Sequence, residues 1–174
     1  MGQYYITINR TKKEYLSPYT FGDGAKFLEF MSSSRGMKEA TMMLLTNGGH
    51  KDNYLGHWAG DLIEVLGDYA EHDVRGDKKV DLWEEIHEGR SKWKDISVPV
   101  YKALFYHNSW FAEDEKNYLK KYGDEHLYTD NKIVLKELFP AEIMEGNIRR
   151  VLDKKITEQE ETIKNLKAKL KDSE

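Results

Sequence analysis

The chain predicts an α+β fold: a small mixed or antiparallel sheet with packed helices, followed by one long, coiled-coil-like C-terminal helix. Three observations carry that expectation. Two short β-prone runs, Tyr4-Tyr5-Ile6-Thr7-Ile8 and Leu62-Ile63-Glu64-Val65-Leu66, stand apart from segments with helical spacing. Helical spacing is plainest at Met37, Ala40, Thr41, Leu44 and Leu45. From Ala141 onward the only glycine is Gly146 and there is no proline, which is helical composition.

Along the chain, Tyr4 to Ile8 opens as a strand. Asn9 to Lys13 is a polar turn, and Glu14-Tyr15-Leu16 returns as the second arm of a hairpin. Gly22-Asp23-Gly24 precedes a short helix over Ala25 to Met31. A phosphate loop is not expected there, because the third glycine and the Gly-Lys-Ser/Thr sequence are missing. Ser32-Ser33-Ser34 can cap the helix from Met37 to Leu45. Its methionines are core filling.

The organising stretch is Gly56-His57-Trp58-Ala59-Gly60-Asp61-Leu62-Ile63-Glu64-Val65-Leu66-Gly67-Asp68-Tyr69. Its apolar run, bounded by Gly60 and Gly67, reads as a central strand whose ends need backbone angles open to glycine. Asp61 and Asp68 then flank the strand. They either bond nearby backbone N–H groups or form a polar site beside Trp58 and Tyr69. Trp58 is expected in the core.

Glu71 to Lys79 reads as an exposed loop containing an Arg75-Gly76-Asp77 tripeptide. Asp81 caps a helix reaching His87, with Leu82, Trp83 and Ile86 inward. Ser97 caps the next helix and Pro99 sits in its first turn, with Tyr101, Leu104, Phe105 and Trp110 inward. The charged stretch from Glu113 to Gly123 keeps Tyr118, Leu119 and Tyr122 as its apolar contacts. Leu127-Tyr128 and Lys132-Ile133-Val134-Leu135 read as strands or an edge hairpin, and Leu138-Phe139-Pro140 closes that unit.

Two segments follow: an α+β domain over 1–140 and a C-terminal helix over 141–174. In that helix Leu152, Ile156, Gln159, Ile163, Leu166 and Leu170 fall at d, a, d, a, d, a of a heptad repeat. A lone helix of this length is marginal, so the stripe needs a partner. The choice lies between a homodimer and packing on the domain, and a homodimer is expected.

Composition removes several chemistries. With no cysteine, disulfide scaffolds, thiolate metal sites and cysteine nucleophiles are excluded. The six histidines include no i,i+4 pair, and no His-Glu-x-x-His occurs. A carboxylate site for a divalent metal from His57, Asp61, Glu64 and Asp68 is disfavoured, because alternation sends Asp61 and Glu64 to opposite faces. There is no Gly-x-Ser-x-Gly elbow. No catalytic residue, cofactor or metal is therefore assigned. No 18-residue apolar run and no signal peptide is visible, so a cytoplasmic protein without a membrane segment is expected.

Charge is segregated. The chain carries −4, yet Asp61 to Glu88 holds ten acidic and three basic residues, leaving +3 elsewhere. That pattern lacks a nucleic-acid footprint and favours a basic protein partner. Candidate contacts are Asp61, Glu64, Asp68, Tyr69, Glu71, Asp73 and Asp77.

Five motifs carry a resemblance: Met1-Gly2-Gln3-Tyr4-Tyr5, Lys12-Lys13-Glu14-Tyr15, Gly24-Ala25-Lys26, Gly56-His57-Trp58-Ala59-Gly60-Asp61 and Gly67-Asp68-Tyr69-Ala70. Together they resemble a family of largely uncharacterised small bacterial and phage proteins. The likeness covers about residues 1–105, and His57 stands where the family pattern more often has arginine. It implies no established chemistry but a phage or mobile-element origin. The expected function is a non-enzymatic interaction protein, such as an inhibitor of a host defence complex like a CRISPR nuclease. The alternatives are a small-ligand binder for a nucleotide signal, using Trp58 and Tyr69, and a metal-dependent hydrolase.

Overall fold

A computed structural model of the chain describes residues 3–32, 36–48, 53–70, 73–75, 78–88 and 92–171. The strands and helices, in order, are β1 (Tyr5–Asn9), β2 (Glu14–Leu16), α1 (Phe27–Ser32), α2 (Met37–Leu45), β3 (Ile63–Gly67), β4 (Asp73–Arg75), β5 (Lys78–Val80), α3 (Leu82–His87), β6 (Lys94–Asp95), α4 (Ser97–His107), α5 (Ser109–Tyr122), α6 (Thr129–Leu138) and α7 (Pro140–Lys171). A 3-10 turn at Pro18–Phe21 follows β2. The fold is α+β.

Two compact units divide the chain. One comprises Met1–Ala112 and Tyr128–Val134, the other Glu113–Leu127 and Leu135–Glu174.

The first unit is built on a mixed sheet of order β3-β1-β2-β6, with β2 and β6 parallel and the other pairs antiparallel. β1 is central. Ile6 and Ile8 point to one face, where they pack with Leu66 and with Leu82 and Ile86 of α3. Tyr15, Trp83 and Trp93 flank that cluster. Asn9 and Glu14 pair directly across the hairpin and share the opposite face. A second apolar group centres on Tyr101, whose ring meets Phe21 at 5.3 Å and Phe105 at 4.7 Å. The buried Asn131 amide donates to the Tyr101 hydroxyl at 3.0 Å and to the Thr20 carbonyl at 3.3 Å, which offsets its burial.

Several expectations need correction. β3 is an edge strand, not the central one, and Leu62 and Val65 stand exposed. Gly60 does take a left-handed backbone (φ +83°). Gly67 does not; a Cβ there would meet the movable end of the Gln3 side chain at 2.2 Å and the Tyr5 ring at 3.1 Å. The expected loop after Tyr69 contains a short antiparallel pair, β4 with β5. α2 receives its cap from Asp23, whose carboxylate accepts the Met37 N–H at 2.9 Å. Of the expected caps, Ser32 ends α1, and Ser33 and Ser34 lie outside the described residues. Asp95 caps α4 by accepting the Ser97 N–H at 2.8 Å, while Ser97 itself is buried inside the helix. Trp110 is 85% exposed. The reason is a helix break at Asn108, whose side chain accepts the Phe111 N–H at 3.0 Å and resets the register so that Phe111 is buried instead.

The largest correction is α6. The run Lys132 to Leu135 is helical, not a strand. Its buried residues Asn131, Val134 and Leu135 are spaced i, i+3, i+4, a helical stripe that includes a polar residue. Leu127 and Tyr128 form no strand either. Pro140 opens α7 instead of closing a unit, as its missing N–H allows.

In the second unit Leu119, Phe139 and Ile143 are buried. Gly146, the lone glycine of the terminal stretch, marks a backbone-to-backbone contact. A Cβ there would lie 2.0 Å from the Leu119 carbonyl and 2.4 Å from the Gly123 nitrogen. Around it the Asn147 side chain accepts the Asp124 N–H at 3.3 Å, Lys136 pairs with Asp124 at 3.3 Å, and Arg150 with Glu125 at 2.7 Å.

Candidate functional site

The glycine-rich stretch before β3 is tied to the β1–β2 hairpin by a polar network. Trp58 is fully buried, and its indole N–H donates to the Glu14 carboxylate at 2.9 Å. His57 Nε2 lies 2.9 Å from the same carboxylate oxygen. Glu14 is itself nearly buried, so it serves as the acceptor that an enclosed indole needs. Asp61 accepts from the Asn9 amide at 2.8 Å and from the Lys12 ammonium. Lys12 also donates to the His57 carbonyl at 2.5 Å. The Lys12 ammonium, and after it the Asn9 amide, hold the Asp61 carboxyl below the usual aspartate range.

The predicted contact residues distribute unevenly. Asp61 is consumed by that tie. Glu64 pairs with Arg10 at 2.6 Å. Asp68 accepts the Tyr4 N–H at 3.0 Å and extends the β1–β3 ladder. Tyr69 is exposed. Glu71 and Asp77 lie outside the described residues, and of Asp73 only the backbone is described. Asp61 and Glu64 thus engage separate cations. Asp61 also precedes the strand, so alternation along β3 does not govern it. Among the described residues no three His, Asp or Glu side chains gather as a metal site.

Chemically, a carboxylate against an imidazole could orient a base. Here the carboxylate oxygen is shared with Trp58, and the neighbouring polar groups Lys12 and Asn9 are engaged with Asp61. The arrangement works as a clamp. Trp58 is fully buried and offers no exposed face to the nucleotide that the alternative reading places beside it. Sequence reading missed Glu14, Lys12 and Asn9. A usable signal existed: a core tryptophan needs an acceptor, and Lys12-Lys13-Glu14 was already among the motifs.

The heptad residues behave oppositely. Every residue from Val151 to Lys169 is exposed. Leu152, Ile156, Ile163 and Leu166 are each a little over half exposed, and Gln159 lies among them. Of Leu170 only the backbone is described. At the start of α7, Pro140, Ile143, Met144, Ile148, Val151 and Leu152 line an open apolar groove of about 620 Å³. No described helix is long and apolar enough to cross a membrane. No family model, no curated protein and no solved structure matches this chain.

Proposed function

We propose that the chain is a non-enzymatic interaction protein that pairs with a second copy through α7 and presents its sheet-bearing unit to a protein partner. The observation that carries this reading is the exposed run from Val151 to Lys169 with its apolar stripe. Five turns of helix without packing are marginal in water. Covering the stripe supplies the missing stabilisation. The a and d positions support a second copy as the cover. In a parallel pair the g residue Lys155 of one helix faces the e residue Glu160 of the other, with opposite charge. Gln159 at d is the polar position that selects register.

The partner surface is narrower than the −7 of Asp61 to Glu88 implies, because Asp61 and Glu64 are neutralised by Lys12 and Arg10. Asp68 and Glu84 form no ion pair among the described residues and are the acids left to meet a basic protein surface. The narrower reading, a phage or mobile-element protein that blocks a host defence nuclease in the bacterial cytoplasm, is supported by the motif resemblance alone.

Light scattering on the full chain and on a chain ending at Arg150 tests the assembly. The full chain is expected to be a dimer and the shortened one a monomer; equal oligomeric states reject it. Affinity capture from host lysate at low salt tests the partner, and recovery of no basic protein counts against it.

A further inference from the structure

A second cavity lies in the first unit, on no residue of the clamp. It holds about 360 Å³, near the lower end for small-molecule sites. Tyr4, Tyr15, Tyr19 and Trp83 supply aromatic surface, and His87 and Asp95 supply the polar edge. No lysine or arginine lines it. The His87 ring stacks on Trp83 at 4.3 Å, and its Nδ1 donates to the Trp83 carbonyl at 2.9 Å. Nδ1 therefore carries a proton in this contact.

Asp95 is the decisive group. It accepts from the Ser97 N–H and the Ser97 hydroxyl, both neutral donors. No cation pairs with it among the described residues. Burial, and then Asp95, push the Tyr15 hydroxyl up; burial first, with Glu29 among the further causes, does the same for Tyr19.

We infer that this groove binds a small organic cation of the methylated ammonium class. Ring faces attract such a head through their quadrupoles, and one uncompensated carboxylate adds charge complementarity. A guanidinium fits less well. It favours a carboxylate with both oxygens free to accept two parallel N–H bonds, and Oδ1 of Asp95 already takes both Ser97 bonds. A quaternary ammonium has no N–H to satisfy and needs only the field and the rings.

The test is an NMR titration of the ¹⁵N-labelled full chain with choline chloride, following the Trp83 indole. Parallel arms use the neutral isostere 3,3-dimethylbutan-1-ol, N-acetylarginine amide, and sodium chloride at matched ionic strength. A saturable choline shift, with the isostere and the arginine amide each about tenfold weaker or more, is expected. Asp95→Asn, which still accepts from Ser97, should weaken choline by a similar factor with the spectrum otherwise unchanged. Equal binding of the isostere would reduce the site to an apolar slot. Tighter binding of the arginine amide, or no shift with choline beyond that of sodium chloride, overturns the inference.

Discussion

The clamp before β3 and the helix α7 use similar residues to opposite ends. In the clamp, charges and an aromatic ring turn inward: Trp58 and Glu14 satisfy each other in the core, and Lys12 and Asn9 occupy Asp61. In α7, leucines and isoleucines stand in solvent along a helix of ordinary charged composition. The motif-rich stretch is spent on holding the fold together. The plain helix holds apolar surface that stands exposed from Val151 to Lys169. A distinctive motif can thus be structural, while surplus apolar area marks an interface.

The contrast breaks first at Trp58. If it anchors the core, Trp58→Ala should cost about 3–5 kcal/mol in denaturant unfolding of the first unit. A loss within experimental error would show that the clamp does not hold the fold.

Next comes the acceptor. Glu14→Ala strands the Trp58 N–H and should cost about 1–3 kcal/mol. Glu14→Gln, which retains a side-chain oxygen, should recover part of that loss. Equal destabilisation by both would show that charge, and not acceptance, is what Glu14 contributes.

The smallest expected effect lies at acid pH. The folded pKa of Asp61 is depressed, chiefly by Lys12 and then by Asn9. Its contribution is therefore present above the unfolded value, about 3.9, and is lost as pH falls through the lower folded value. Lys12→Met should flatten the pH dependence of stability below about pH 4, as followed by thermal midpoints. An unchanged acid limb would mean that the contact is broken in solution.

Much of the fold is legible because periodicity reports it. The alternation of Tyr4 to Ile8, the stripe of α2, Leu82 and Ile86 around an aspartate cap, and the long terminal helix all follow from side-chain spacing. What failed to show was set by partners distant in sequence. Ile133-Val134-Leu135 is β-prone by composition, and the helical stripe becomes visible only when Asn131, buried against Tyr101, is counted with it. β6 is two residues long and exists through its parallel pairing with β2. Trp110 follows the register of α4 until Asn108 interrupts it. The clamp was half legible: Trp58 as core followed from its type, whereas its tie to Glu14, which His57 shares, needed the hairpin register. The groove around Trp83 joins residues from five segments, and no spacing rule brings those together.

The opposition between the two regions rests on α7 being covered by a second copy. Light scattering of the full chain and of Ile156→Glu/Ile163→Glu, across a concentration series, measures that directly. The full chain should give twice its 20.4 kDa mass and the double variant a single mass, with helical circular dichroism falling as the unpaired helix frays. A monomeric full chain at all concentrations, or a double variant that remains dimeric, contradicts it.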